Sequence, residues 1–530
     1  MLTFELLLGL FAFCLALALV ARRIGVPLAV ALVLGGMAIA FLPGLPHIAF
    51  EPELALALFL PPLLQLSAYR TDWPAFRTNL RPILLLATGA VLFTAAVVAC
   101  VAKWLIPDLP WGAAIALGAI VAPPDAVAAA AVLRDLRPPK RIATVLEGES
   151  LLNDAASLVL YRFAVGATIA GTFDLKEGAL AFLLSAVGGT LVGYAIGRLA
   201  MWIFSRIDET LHDITVSVLA GFAAYFAAEA VHASGVLGVV ACGLVLGTHQ
   251  HQAFTAHTRL ASGAVWSFLE FALTSLVFML IGMQLRGIID RLPSYAPAQL
   301  ATLALATSGA LILSRFAWIM PMTWIPRLLS RRLRERDPAP PASHLVVISW
   351  AGMRGVVSLA AALALPMRFP GRDIIIFLAF CTILATLVVQ GTTLGPLIRR
   401  LGLTRPDNDG VDPRQVTLRR HVAEAALNAV EEQTVDDDRD PAATELVAHY
   451  RDRAQQAARL DDGAEPEANR AAAQLTLRLT AVEAARSKLA ARRQDHDDDA
   501  ALGLMTELDL EEEQIRRELI ALSQPAPRQR

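Results

Sequence analysis

The chain has 530 residues, of which 55% are hydrophobic and 18% charged, and its mean hydropathy is +0.53. Those values exclude an ordinary soluble globular chain and point to a polytopic membrane protein. Charge is also divided along the chain: residues 401–530 carry 27 Asp/Glu and 18 Lys/Arg, leaving 21 acidic and 28 basic residues before them, so a portion of +7 meets a tail of −9 near residue 400.

The first apolar run, Met1 to Val20, lacks a basic leader and carries Glu5, so it reads as an uncleaved first span. A helix needs roughly 20 apolar residues to cross the hydrocarbon core, and about thirteen such stretches follow one another. They are Leu2–Val20, Ile24–Leu42, Leu54–Ala68, Ile83–Leu105, Ala113–Leu133, Ile142–Ala164, Leu180–Phe204, Ile214–Val231, a short Val236–Leu246, Val265–Leu285, Leu300–Ile325, Leu345–Leu365 and Ile374–Ile398. Alternate loops are basic, with Arg22 and Arg23, then Arg70, Arg77 and Arg81, then Arg134, Arg137, Lys140 and Arg141, and later Arg327, Arg331, Arg332, Arg334 and Arg336. The positive-inside bias then predicts an N-terminus outside and a cytoplasmic tail. Cys14, Cys100, Cys242 and Cys381 fall in apolar runs without metal-ligand spacing and read as small core residues.

In the fifth stretch Pro123 and Pro124 remove two backbone donors, so the helix should break just before Asp125. Broken backbone at membrane depth is tolerated where it is buried or lines a cavity, and there its carbonyls can hold an ion. In the sixth stretch Asp154 lies roughly 18 Å from Ile142, and Asp125 roughly 12 Å from Leu133, which places both near mid-membrane. Ser150, Asp154 and Ser157 share one helix face, with Glu149 and Asn153 beside it. Such an oxygen-rich facet suits a hard cation. A carboxylate at that depth must be neutralised by a proton, a cation or a basic partner. If proton and cation compete for it, exchange follows. In the twelfth stretch Arg354 sits between Gly352 and Gly355, roughly 14 Å deep, and needs a buried partner; Glu149 is the expected one. The interrupted fifth and twelfth stretches would occupy matching places in two inverted repeats, with the seventh joining the halves.

The run Glu147-Gly-Glu-Ser-Leu-Leu-Asn-Asp-Ala155, with Gly-Met-Arg-Gly at 352–355 and Phe-Leu-Pro-Pro-Leu-Leu at 59–64, resembles the bacterial monovalent cation:proton antiporter-1 family, the NhaP and sodium/proton-exchanger type, over roughly residues 1–400. The resemblance implies an all-α polytopic NhaA/NhaP-like antiporter fold with broken crossing helices. It implies a core bundle of about 83–164 and 300–398 that moves against a dimerisation bundle of about 1–68 and 214–285, in a homodimer of the plasma membrane. It further implies electroneutral exchange of one sodium for one proton. Asp154 would be the shared carrier, Asn153 a polar neighbour, Asp125, Ser150 and Glu149 completing the cation site, and Glu149 with Arg354 a structural ion pair. Two departures stand out: the family commonly has Thr where this chain has Pro124, and an acidic residue where Gln65 and Leu66 stand. The lost hydroxyl leaves the Pro124 carbonyl as a ligand and leaves potassium or lithium open beside sodium.

Other charged groups in or near spans are Arg162, Glu229, Glu270, Arg198 and Arg315, read as helix-end or interhelical contacts, with Arg162 snorkelling to the outer interface. His249, His251 and His257 read as a solvated loop. The tail, 401–530, is expected to be helical and partly disordered, with helices at Leu418–Glu432 and Leu475–Arg493 between acidic runs at 436–438 and 497–499. It has no dinucleotide fingerprint, which disfavours a nucleotide-gated potassium system. The competing readings are a cation channel and an intramembrane aspartyl protease, for which Arg354 has no obvious role. No cofactor, nucleic acid or enzymatic activity is expected; the partners are membrane lipid, monovalent cations and protons.

Overall fold

The computed structural model describes residues 2–42, 52–125, 138–170, 175–207, 209–292, 295–404 and 413–434, with scattered residues between 128 and 136 and short stretches between 447 and 516. The chain divides into two units, Met1–Thr404 and Arg405–Arg530. Among the described residues every regular element is helical. The principal helices of the first unit are α1 (Leu2–Ile24), α2 (Leu28–Ala40), α3 (Pro52–Arg70), α4 (Leu80–Leu105), α5 (Trp111–Val121), α6 (Lys140–Ala170) and α7 (Leu175–Phe204). They continue as α8 (Thr210–Ala230), α9 (Gly235–Ala253), α10 (Ala256–Met283), α11 (Pro297–Leu329), α12 (Ala342–Trp350), α13 (Val356–Leu363) and α14 (Arg372–Arg400).

Six helices among the described residues are long and apolar enough to cross a membrane, and three shorter apolar helices accompany them. The chain is a multi-pass membrane protein. The short ninth stretch falls within α9, 19 residues long. Its start is fixed by Ser234, whose hydroxyl accepts from the Leu237 N–H at 3.3 Å, and α10 starts in the same way on Thr255 and the Thr258 N–H at 3.2 Å. Pro297 opens α11, where its missing donor costs nothing.

Without a hydrophobic drive between helices in lipid, close backbone approach has to supply the packing. Gly36 of α2 faces Gly282 of α10, and Gly193 of α7 faces Gly238 of α9; a Cβ at either site would strike the opposing backbone. α5, apolar on all sides, is buried from Ala113 to Val121 except for part of its first turns. α7 instead leaves Leu180, Leu183, Leu184, Val187 and Leu191 exposed, as a lipid-facing helix would.

The second unit contains α15 (Pro413–Thr434), which spans the expected Leu418–Glu432 helix. Leu475, Val482 and Ile515 form a small buried apolar cluster there. The acidic runs 436–438 and 497–499 and most of the expected helix after residue 485 lie outside the described residues.

Candidate functional site

Two interrupted helices meet inside the first unit. α5 stops at Val121 and the chain runs on without helix through Pro123, Pro124 and Asp125. α12 stops at Trp350 and α13 begins at Val356, leaving Ala351–Gly355 irregular. Each break exposes backbone groups that hydrocarbon cannot satisfy, and each supplies partners to the other. The Asp125 N–H donates to the Met353 carbonyl at 2.7 Å. In return Arg354 donates from Nε to the Val121 carbonyl at 2.8 Å and from Nη2 to the Ala122 carbonyl at 3.0 Å, while Nη1 donates to the Gly352 carbonyl. Arg354 thus places a permanent cation on the negative end of α5. Its own N–H donates to Thr386 Oγ1 of α14 at 3.1 Å.

The continuous α6 passes beside this crossing. Asn153 is fully buried and donates from Nδ2 to the Pro124 carbonyl at 2.8 Å, which ties α6 to the break. The Pro124 carbonyl, expected as a cation ligand, is therefore engaged by Asn153, while Asn153 Oδ1 is buried without a hydrogen-bond donor. Asp154 and Ser150, one turn apart, are both 7% exposed. They and Asp125 line a single cavity of about 670 Å³, together with Phe59, Leu60, Leu63 and Leu64 of the Phe-Leu-Pro-Pro-Leu-Leu run. Ser157, on the same face of α6, instead donates to the Asp154 backbone carbonyl at 3.1 Å. Gly355 packs so closely on Asp125 that a Cβ there would overlap the carboxylate.

The expected Glu149–Arg354 pair is replaced by another. Glu149, 1% exposed, is held in two parallel hydrogen bonds by Arg315 of α11, Nη1 at 2.6 Å and Nη2 at 3.0 Å. Arg315 Nη2 also donates to the Ile348 carbonyl near the end of α12, at 3.0 Å. The physical reason is that the carbonyls freed by the proline break take up the guanidinium of Arg354, and the planar fork of Arg315 matches a carboxylate in two-point contact. Each arginine thus closes the carbonyl end of one half-helix. Arg315 is the interhelical contact its place in an apolar stretch suggested, but no motif around it named the partner; the available signal was its depth, where a fixed positive charge demands an acid.

The remaining charged groups find partners away from this cavity. Arg162 pairs with both oxygens of Glu229 at 3.0 Å, and Arg70 with Glu270 at 2.7 Å. Arg162 and Glu229 line a second cavity, with Tyr161, Tyr225, Ser185 and Ser234. Leu60 lines both cavities and belongs to an apolar cluster with Leu64, Ala155, Val236 and Val239, of which Leu64 lines the first cavity and Val236 the second. Arg198 is exposed on α7. Gln65, at the family's acidic position, is fully buried and donates to the Ser217 carbonyl of α8 at 2.6 Å. His249 and His257 contact the Val245 carbonyl at 2.9 Å and Thr210 Oγ1 at 3.2 Å; the side chain of His251 lies outside the described residues. Among the described residues no three His, Cys, Asp or Glu side chains converge as for a tightly held metal. Two carboxylates with a hydroxyl nearby form a sparser donor set, of the kind that lets a hard cation leave.

Residues 9–400 match the family model for the transmembrane sodium/hydrogen exchanger. An uncharacterized Na⁺/H⁺ exchanger of Mycobacterium tuberculosis is 34% identical over 77% of this chain and 76% of its own length. The Na⁺/H⁺ antiporter NhaP of Pseudomonas aeruginosa is 32% identical over 66% of this chain and 81% of its own. The sodium, potassium, lithium and rubidium/H⁺ antiporter of Bacillus subtilis is 32% identical over 75% of this chain and 60% of its own. The solved structure of the sodium proton antiporter MjNhaP1 from Methanocaldococcus jannaschii shares the fold, with a TM-score of 0.60 at 19% identity over 76% of this chain and 99% of that one. By the family match and the 34% identity to a relative sharing most of its length, this chain belongs to the sodium/hydrogen exchanger family.

Proposed function

We propose that this protein exchanges a monovalent cation for a proton across the plasma membrane, with Asp154 carrying either occupant in turn. The observation that carries this reading is that Asp154 of an intact helix and Asp125 of a proline break share one buried cavity with Ser150. Two carboxylates so placed cannot both stay ionised in a poorly solvated site without a counter-charge, so a cation and protons compete for the same oxygens. Asp125 is the coordinating partner, Ser150 offers a neutral oxygen from the cavity wall, and Asn153 is the polar neighbour that holds the Pro124 carbonyl. Glu149, already committed to Arg315, acts as structure.

Sodium is the first cargo in this reading, exchanged one for one. Potassium and lithium are favoured as further cargo by two observations: Pro124 removes the hydroxyl that would tighten the shell, and the Bacillus subtilis relative bears a name that spans four alkali cations. In this reading the two cavities give access from opposite sides and the apolar cluster around Leu60 and Val236 is the plug between them, opening as the core bundle shifts against the dimerisation bundle of a homodimer. The inverted-repeat relation of the two broken helices, an external N-terminus and a cytoplasmic tail belong to the same proposal.

The test is cation-induced dequenching of a pH-sensitive dye in everted vesicles, run with Na⁺, K⁺ and Li⁺ across pH. Wild type should move protons on cation addition without an imposed voltage, and Asp154→Asn should show only vesicle background at equal membrane abundance. Proton flux retained by Asp154→Asn, or voltage-driven current without proton coupling, would overturn the reading.

A further inference from the structure

At one end of the transmembrane unit, away from the carboxylate cavity, α4, α6 and α11 bring three arginines to one carboxylate. Arg327 Nη2 meets Asp337 Oδ2 at 2.5 Å, Arg141 Nη2 meets Asp337 Oδ1 at 2.8 Å, and Arg81 Nη1 lies 3.6 Å from Asp337 Oδ2. Asp337 answers one of the three charges. Arg81 Nη1 has no hydrogen-bond partner although it is enclosed. These groups stand at the mouth of a cavity between the helices. Behind them its walls are apolar: Leu86 of α4, Val145 of α6, Trp318 and Met322 of α11 and Leu345 of α12.

We propose that this cavity binds an anionic phospholipid, its phosphate among Arg81, Arg141 and Arg327 and one acyl chain along the apolar walls. Charge complementarity selects the headgroup, because basic pockets between membrane helices hold anionic lipid heads. The depth selects a lipid over a free anion: from Arg327 to Trp318 the helix runs roughly 13 Å, close to half of a hydrocarbon core about 30 Å thick. A small phosphate would leave that apolar length unfilled. The mouth is open to the bilayer too, since Leu84, Ile325 and Leu328 beside it are exposed apolar side chains. The inner wall reaches the Glu149–Arg315 pair. Val145 lies one helical turn before Glu149, and Ile348, whose carbonyl accepts from Arg315, lines the cavity. A chain in the cavity therefore steadies the helices that position the crossing.

The experiment uses the full-length protein, delipidated in mild detergent and offered phosphatidylglycerol or phosphatidylcholine of the same chain length, with retained lipid read by native mass spectrometry. Wild type should retain phosphatidylglycerol about tenfold over phosphatidylcholine, and Arg81→Gln/Arg141→Gln should lose that preference. Met322→Trp, which fills the cavity and keeps all three arginines, should lose retention as well. Equal retention of both lipids by wild type overturns the proposal, as does undiminished preference in either variant. Displacement by free glycerol phosphate at the lipid's own concentration also overturns it, because it marks a site for a small anion. In vesicles, phosphatidylglycerol should raise cation-driven proton flux of wild type and leave Arg81→Gln/Arg141→Gln at its phosphatidylcholine rate. Retention without this stimulation overturns the claim that the lipid steadies the crossing.

Discussion

Glu149 and Arg315 are each 1–2% exposed on their side chains and 166 positions apart. A pair so placed gains little over an apolar replacement, but removing one partner strands the other charge, which costs about 3–5 kcal/mol. Glu149→Gln or Arg315→Met alone should therefore lower the thermal midpoint in detergent strongly, and the double substitution should recover part of the loss. Additive losses would mean that the two side chains act separately. Gly355 supplies a second residue-scale expectation. Its missing Cβ makes room for the Asp125 carboxylate, so Gly355→Ala should abolish dye dequenching while the protein still reaches the membrane. Full activity would show that Asp125 can withdraw without consequence. Asp125, Asp154 and Ser150 were legible in the sequence because depth and the proline pair are local signals. Arg315 was not, because pairing across helices leaves no spacing to read, and with one acid in view the nearer motif claimed it for Arg354.

At the scale of elements, α6 is the intact rod against which two interrupted helices are assembled, and Asn153 is the peg that ties it to the break after α5. Its amide holds the Pro124 carbonyl, which explains how an Asn next to the proposed carrier Asp supports the site while adding no charge. The interruptions themselves were readable, since Pro-Pro and Gly-flanked Arg both weaken a continuous helix, although the Pro61-Pro62 pair of α3 stays helical. Where their freed carbonyls would turn was not readable, because it depends on two segments more than 200 positions apart. In the proposed reading the barrier between the two cavities is a few aliphatic side chains. Leu60→Ala with Val236→Ala should thin it and let cation pass without its proton, seen as vesicle current under an imposed voltage. Unchanged coupling would place the barrier elsewhere.

For the whole molecule, the proposed competition of proton and cation for one set of oxygens sets the sign of the pH response. Lowering pH fills the carboxylates with protons, so more cation is needed to displace them. In the limit of strict competition the apparent KM for the cation rises roughly tenfold per pH unit while the maximal rate holds. Dye-based titrations at three pH values check this, and a falling maximal rate at constant KM would contradict it. The division near residue 400 was visible as a change in sign of charge, and the structure separates its units at Thr404 and Arg405. The Arg354 contacts carry a further consequence for how the protein is made. Arg354 lies 232 positions after Ala122, so at about 5–20 residues per second the ribosome supplies it some tens of seconds late. During that interval the carbonyl end of α5 and the carboxylate beyond it are already within reach of the bilayer and lack their cation. Biogenesis therefore has to hold the first half of the transport site in a sheltered, unfinished form until the chain that completes it is inserted.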